Sequence, residues 1–276
     1  MSLAQQRKAT MSNNYWARRM ARAQDNIARK NTAQIDKQLK KYYSDAMKRT
    51  IADFESVYEK IMRAQAEGSE ITPAWLYQLD SYWQAQAQLK QELQKLGAKS
   101  INALSSAFEK HYYDIYNAIA MPAGEAFATV DNKMVKQLIN QIWCADGKSW
   151  SSRVWGNTDK LAETLNEQLI HCVATGKKTT ELKNLLQERF AVSYNNADMI
   201  TRTEIAHIQT QAAQQRYRDY GIEQVEVLVD KDEKTCPICA KHEGERYFIN
   251  DRMPVPFHPR CRCCMIPVIE DNRKKE

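Results

Sequence analysis

Glycine and proline are scarce in this sequence of 276 residues, which contains eight glycines and seven prolines. Because these two residues interrupt helices and form turns, their scarcity favours a helical protein over a loop-rich β fold. No apolar run approaches the roughly 18 residues that a membrane-spanning helix needs, so we expect no membrane partner. The N-terminal residues also lack the apolar segment of a secretory signal.

Dispersed cysteines are also missing, because five of the seven cysteines lie between Cys236 and Cys264. Clustered cysteines in a chain of this size argue against a secreted disulfide scaffold and favour a reducing compartment. The same segment contains two of the five histidines. This composition points to a metal site, with buried free thiols, one disulfide and a core histidine as the alternative interpretation.

The spacing within this cluster is typical of zinc sites. Cys236 and Cys239 form a CxxC pair, and His258 and Cys261 form a second pair with the same spacing. We therefore predict a Zn²⁺ site within residues 236–264, with these four residues as ligands. Cys263 is an alternative fourth ligand, because it lies on the same face as Cys261 in an extended segment, and His242 is a weaker substitute. Four protein ligands leave no open coordination position, so the predicted role of the metal is structural.

Positive charge is concentrated near the N-terminus. Residues 1–50 contain twelve Lys or Arg and three Asp, a net +9, so the other residues of this +6 chain sum to −3. We predict that residues 1–30 form a basic arm that becomes ordered on an anionic partner, either DNA phosphates or an acidic protein ring. The predicted DNA-binding residues are Arg7, Lys8, Arg18, Arg19, Arg22, Arg29 and Lys30.

Hydrophobic periodicity predicts long helices in the first half of the chain. One runs from Thr32 to Gly68, a second from Thr72 to Gly97, and a third over residues 101–119. Short capped turns between them indicate antiparallel neighbours. We therefore expect an elongated long-helix bundle over residues 31–125.

Shorter elements follow in residues 126–276. Residues 147–157 are predicted to form a loop that contains two tryptophans. Leucine repeats then predict two helices, and a third runs from Ser193 to Tyr220, with Gly176 and Gly221 as predicted helix ends. Alternating valines predict a strand at 223–230, with two shorter strands at 246–249 and 265–269. The predicted fold class is mainly α, with an elongated helical N-terminal half and a small zinc-stapled α+β module at the C-terminal end.

A second polar group, Arg202-Thr203-Glu204, begins the Ala/Gln-rich part of the helix before Gly221. Because Arg202 and Glu204 are two positions apart, their side chains diverge on a helix. We therefore predict structural ion pairing between the helix and the cysteine segment. The alternative is a nuclease or transferase-like enzyme that uses Arg202, Glu204 and His258.

The order of these motifs resembles the phage Mu F-like head morphogenesis family of tailed bacteriophages, over about residues 150–270. The motifs that carry the resemblance are Arg202-Thr203-Glu204, Gly221, the turn from Asp232 to Cys239, Gly244, and the segment from His258 to Cys263. The extra Cys264 departs from the family pattern.

The resemblance implies a minor capsid protein without enzymatic activity. Such a protein joins the procapsid, associates with the portal and lies inside the head of the virion, after synthesis and assembly in the host cytoplasm. The implied partners are the portal protein, a capsid or scaffolding protein, and double-stranded DNA bound without sequence preference during packaging or ejection. We expect docking on the portal through the helical half, with Tyr15, Trp16, Tyr42 and Tyr43 as exposed aromatics. A host transcription factor is disfavoured, since residues 236–264 carry a net charge of only +2.

Overall fold

The computed structural model describes residues 3–119, 130–229, 233 and 235–269, with side chains from residue 18 onward except that of Pro73. Within these residues the chain is mainly helical, with a small antiparallel sheet near the C-terminal end, as predicted. The elements in chain order are α1 (Leu3–Ala66), α2 (Pro73–Leu76), α3 (Asp80–Ala118), α4 (Asn132–Ile139), α5 (Trp150–Thr175), α6 (Thr179–Asp219), β1 (Gln224–Leu228), α7 (Pro237–Ala240), β2 (Arg246–Phe248) and β3 (Cys264–Pro267).

The chain forms two compact units, and each is assembled from separate segments. Unit 1 comprises residues 1–34, 105–141 and 201–276, and unit 2 comprises residues 35–104 and 142–200. The sequence-based division into 1–30, 31–125 and 126–276 follows chain order instead. Its boundary at residue 125 lies outside the described residues, so that division stays a prediction.

Unit 2 is a helical bundle with an apolar core, and two of its helices are longer than predicted. α3 continues through Gly97, which the sequence predicted as a stop, because a Trp155 side chain fills the space beside that glycine. A Cβ added at position 97 would overlap the Trp155 ring, so the ring would have to shift to admit any other residue. The predicted loop at 147–157 is also wrong, because Ser149 caps α5 and both tryptophans are helical.

The predicted stop at Gly176 is confirmed. Gly176 follows α5 with φ of 60°, a left-handed conformation that glycine adopts without the steric penalty of a Cβ. Its backbone N–H and that of Lys177 bond to carbonyls of the last turn. By contrast, the predicted helix start at Ser193 is wrong, because α6 runs as one helix from Thr179 to Asp219.

Unit 1 contains the sheet, whose strand order is β2-β1-β3 with both pairs antiparallel. All three predicted strands are present, and Val225 and Val227 of β1 are fully buried, as their alternation predicted. β1 pairs through Val225 with Tyr247 and through Val227 with Met265. The chain that carries the cysteines and His258 connects these strands.

The first helix contributes to unit 1 as well. The sequence predicts residues 1–30 as an arm, but residues 3–30 form the first part of α1, which has no break at residue 30. In this part of the helix, Met20 and Gln24 are 4% and 0% exposed. Gln24 donates a hydrogen bond to the hydroxyl of Tyr217, which in turn donates to the carbonyl of Met265 in β3. The face that carries Met20 and Gln24 presents apolar and amide groups, and burial of such a face holds a helix in place. This packing explains why the segment is a helix of unit 1 and not the predicted arm. Among the described helices, none is long and apolar enough to cross a bilayer.

Candidate metal centre

A short helix, α7, positions the first two cysteines. Cys236 is its N-cap, and its Sγ accepts a hydrogen bond from the backbone N–H of Cys239 over 3.3 Å. Pro237 follows at the first helical position, where a missing N–H and a fixed φ do no harm. The CxxC spacing therefore brings both thiols to the same side of one turn.

A second turn positions His258 and Cys261. The backbone N–H of Cys261 bonds to the carbonyl of His258 at 3.2 Å, and Arg260 between them has φ of 61°. Thr203 of α6 anchors this turn, because its Oγ1 accepts a hydrogen bond from the Arg260 backbone N–H at 3.1 Å. The Arg-Thr-Glu motif and the His-x-x-Cys motif, 57 residues apart, are thus joined directly.

The two turns bring the ligand atoms into one cluster. His258 Nε2 lies 3.1 Å from Cys236 Sγ and 3.0 Å from Cys239 Sγ, and Cys239 Sγ lies 3.7 Å from Cys261 Sγ. Ligand atoms of a tetrahedral zinc site lie about 3.5 to 3.8 Å apart when the Zn–S bonds are near 2.3 Å. The sulfur–sulfur distance matches this value and the nitrogen–sulfur distances are slightly shorter, so the residues fit a zinc ion.

Two groups of potential ligands share Cys239. One group is Cys236, Cys239 and His258, and the other is Cys239, Cys261 and Cys263, with the atoms of each group within 4.8 Å of one another. The predicted Cys₃His set draws on both groups. Cys263 belongs to the second group, so it remains the alternative fourth ligand.

The orientation of the His258 ring suits metal binding. Its Nδ1 lies 2.8 Å from the carbonyl oxygen of Pro259, which can only accept a hydrogen bond. Nδ1 is therefore protonated, and in the neutral ring the lone pair of Nε2 faces the thiols. A backbone carbonyl that fixes the tautomer in this way is the usual support of a metal-bound histidine.

Charge within the thiol cluster distinguishes Cys261 from Cys263. A side-chain hydrogen bond with Cys263, opposed by burial, lowers the pKa of Cys261 to about 5. The same hydrogen bond raises the pKa of Cys263, while burial raises the pKa of Cys239 to about 12. The pKa of Cys261 is lowered and that of Cys263 is raised, and these opposite directions favour Cys261 over Cys263 as the fourth ligand.

His242, the weaker substitute, belongs to another arrangement. Its ring stacks on Phe257 with centroids 4.1 Å apart, and its Nδ1 lies 2.8 Å from Glu245 Oε2. Neither of the two ligand groups found among the described residues includes it.

The Arg-Thr-Glu residues face in different directions, as the spacing predicted. Arg202 is exposed, whereas Glu204 is only 4% exposed. The predicted ion pairing of Arg202 and Glu204 stays a prediction, and the observed link to the cysteine segment is Thr203. Sequence reasoning missed Thr203 because it considered only charged side chains, although the residue lies at the centre of the motif.

The predicted DNA-binding residues divide into two sets. Arg18, Arg19, Arg22, Arg29 and Lys30 are exposed on α1, while the side chains of the two remaining residues, Arg7 and Lys8, lie outside the described residues.

Of the predicted docking aromatics, Tyr43 needs a correction, while the side chains of Tyr15 and Trp16 lie outside the described residues. Tyr43 is 4% exposed, packs edge-on against Tyr194 and accepts a hydrogen bond from Asn157, so it is a core residue. The exposed aromatics of the described helical part include Tyr77 and Trp83, at 47% and 54%. Trp83 donates a hydrogen bond to the Tyr77 carbonyl, which fixes the two as one patch.

Comparison with known proteins agrees with the motif order. Residues 163–266 match the family described as Phage Mu protein F like protein. This segment is therefore similar to the phage Mu F-like family over 104 residues. The match includes Thr203, the CxxC turn and the His-x-x-Cys turn, so all the ligands of the candidate metal centre lie in the Mu F-like segment. It supports the expectation of a phage head morphogenesis protein.

One curated relative is an enzyme. NAD(+)--arginine ADP-ribosyltransferase EFV of Enterococcus faecalis is 24% identical over 196 residues, which cover 61% of this chain and 40% of that protein. This chain therefore spans about two fifths of the length of that relative. No solved structure matches the chain significantly.

Proposed function

We propose that this protein is a minor head protein of a tailed phage, which joins the procapsid and remains inside the head near the portal. The Mu F-like match over residues 163–266 carries the proposal. The protein would contribute to head assembly and to DNA packaging or ejection without catalysing a reaction. The experiment is co-sedimentation of the tagged chain with procapsids, with and without portal protein. Retention only when portal is present supports the proposal, whereas equal loss from both particles would refute it.

We further propose that the metal centre holds one Zn²⁺ through Cys236, Cys239, His258 and Cys261, with Cys263 hydrogen-bonded beside them. The ligand distances and the fixed His258 tautomer support this. The ion would supply positive charge to a buried thiol cluster and would join the two turns. Its role would be to stabilise the fold of the Mu F-like segment, because all four coordination positions are filled by protein.

We propose Tyr77 and Trp83 as the portal-facing patch of unit 2. Exposed Trp and Tyr side chains are enriched at the centres of protein interfaces. Tyr77→Ser with Trp83→Ser should reduce co-purification of portal protein at least tenfold. The control pair is Ile142→Ser with Val192→Ser, because these residues are 55% and 48% exposed on the same unit. An equal reduction in both pairs would show that the patch has no special role.

A transferase is the second candidate, because the curated relative is named as one. Two features oppose it: Glu204 is buried, and His258 Nε2 contacts two thiols rather than facing solvent. The test is incubation with labelled NAD⁺ and an arginine acceptor. We expect no transfer; transfer that Glu204→Gln abolishes in a folded protein would establish the enzyme instead.

A further inference from the structure

The exposed side chains of one segment of α1 are almost all basic. Between residues 18 and 30, six positions are exposed, and five of them are Arg or Lys, the sixth being Asn26. At about 100° per residue, these six positions fall within roughly 120° of the helix circumference. They therefore form a basic face, composed of Arg18, Arg19, Arg22, Asn26, Arg29 and Lys30.

The opposite face of the same segment is anchored in unit 1. Met20, Gln24 and Asn31 are at most 4% exposed. Gln24 bonds to Tyr217, and the Asn31 amide donates to Asp114 of α3 at 2.8 Å. These contacts fix the rotation of the helix, so the basic face has a defined direction.

Three arginines lie nearly in line along this face. Arg18, Arg22 and Arg29 are spaced i, i+4 and i+11, which places them within about 40° of one another around the helix. Arg29 also pairs with Asp25 at 2.9 Å, an exposed i, i+4 ion pair of the kind that contributes little to stability. The pair can therefore open to let Arg29 contact another anion.

We propose that the basic face is a preformed surface for the phosphate backbone of duplex DNA. This rests on the proposed role in DNA packaging or ejection, and it replaces the predicted flexible arm with a face of fixed direction. The segment is about 18 Å long at 1.5 Å per residue, a length over which duplex DNA presents about five phosphates on each strand. Arg and Asn side chains donate hydrogen bonds to phosphate oxygens in this setting, without reading the base sequence.

The first arm of the experiment measures charge. Arg18→Gln, Arg22→Gln and Arg29→Gln together should lower the magnitude of the log K against log salt slope by about 2.7, since each lost phosphate contact contributes about 0.9. The matched control replaces three exposed lysines of unit 2 by Gln and changes the net charge equally; these are Lys60, Lys90 and Lys160. The control slope should stay within about 0.5 of the wild-type slope.

The second arm measures direction at constant composition. Arg22→Ala with Ala23→Arg moves one cation by about 100° around the helix, and Ala28→Arg with Arg29→Ala moves another by the same angle in the opposite sense. The permuted variant combines both exchanges, so it keeps the net charge and the amino-acid composition of the chain. A fixed face predicts that this permuted variant loses about 1 from the slope, mainly through the move from position 29 to 28, because position 23 lies only about 20° beyond Lys30. A flexible polycation predicts an unchanged slope.

Each outcome decides a separate question. An unchanged slope in the permuted variant overturns the preformed face while leaving DNA binding in place. Equal losses in the arginine variant and the lysine control would also overturn it, because binding would then depend only on net charge. If the wild-type chain fails to bind a 30-base-pair duplex at low salt, both the face and the DNA contact fail, although co-sedimentation with procapsids would still test the head protein assignment.

Discussion

The side-chain amide of Gln24 donates a hydrogen bond to the hydroxyl of Tyr217 over 3.3 Å, although 193 residues separate them. Tyr217 lies in the Mu F-like segment, and Gln24 lies far outside it. Both side chains are fully buried. The first part of α1, up to Gln34, is therefore part of the structural unit that contains the metal centre, and the Mu F-like segment packs on residues that its family match does not include.

Replacing Gln24 should destabilise unit 1. Gln24→Ala removes the donor to Tyr217 and leaves a buried acceptor without one of its partners, at a cost of about 1 to 3 kcal/mol. Gln34→Ala is the matched control, because it makes the same substitution at an exposed position of the same helix and the same unit. Urea denaturation followed by tyrosine fluorescence measures the difference. Equal midpoints for the two variants would mean that the helix is not anchored at Gln24.

A side chain added at Gly97 should destabilise the protein. Gly97→Ala places a Cβ against the Trp155 ring, and overpacking of this kind costs about 1 to 3 kcal/mol. Gly156→Ala is the matched control, since Gly156 is also helical and nothing lies within 4 Å of its added Cβ. That control should stabilise the protein by about 0.5 to 1 kcal/mol through the higher helix propensity of alanine. Thermal unfolding of both variants checks the opposite signs, and a stabilised Gly97→Ala would contradict the packing.

Acid should destabilise unit 1 through His111. Burial lowers the pKa of His111 to about 4 from its ordinary 6.5, although neighbouring Asp114 opposes the shift. Between these values the unfolded state binds more protons than the folded state, so stability falls by about 3 kcal/mol as the pH drops from 6.5 to 4. His111→Gln should remove this contribution and leave that of His207, whose pKa burial also lowers to about 4.

The control for the acid effect is His171→Gln, because His171 is exposed. Denaturation midpoints from pH 4 to pH 7 should show a flatter profile for His111→Gln than for His171→Gln. Parallel profiles would exclude His111 as a source of the acid dependence.

Local patterns in the sequence predicted much of this fold. The alternating valines of β1 and the capping Gly176 are short-range signals, and both are confirmed because the structure depends on the same backbone preferences. Pairs of ligands three residues apart predicted the cluster of Cys236, Cys239 and His258 for the same reason: a single turn fixes each pair.

Long-range contacts could not be predicted in the same way. Gly97 signals a helix end in the sequence, yet a ring contributed by Trp155 makes it a packing position. Gln24 and Met20 lie in a polar, basic stretch whose apolar face is narrow, so the pattern resembled a free arm. Their burial depends on a surface formed by β3 and Tyr217, which no local pattern reveals.

Cys261 and Cys263 should differ in their effect on metal affinity. Cys261→Ser removes a ligand and should abolish zinc binding, whereas Cys263→Ser removes a hydrogen bond to the ligand and should weaken binding by about 10- to 100-fold. Competition with a chromophoric chelator measures both affinities. If Cys263→Ser loses zinc and Cys261→Ser keeps it, the fourth ligand is Cys263.

The central claim is that a bound zinc ion stabilises the Mu F-like segment. The most direct test measures the zinc content of the purified full-length chain together with its unfolding in the presence and absence of chelator. The account predicts about one zinc per chain, and it predicts that chelator lowers the stability of the sheet region, because metal binding and folding are coupled at such a site. Cys236→Ser with Cys239→Ser should abolish the zinc and reproduce the effect of chelator. A chain with little zinc, whose unfolding is the same with and without chelator, would contradict the account.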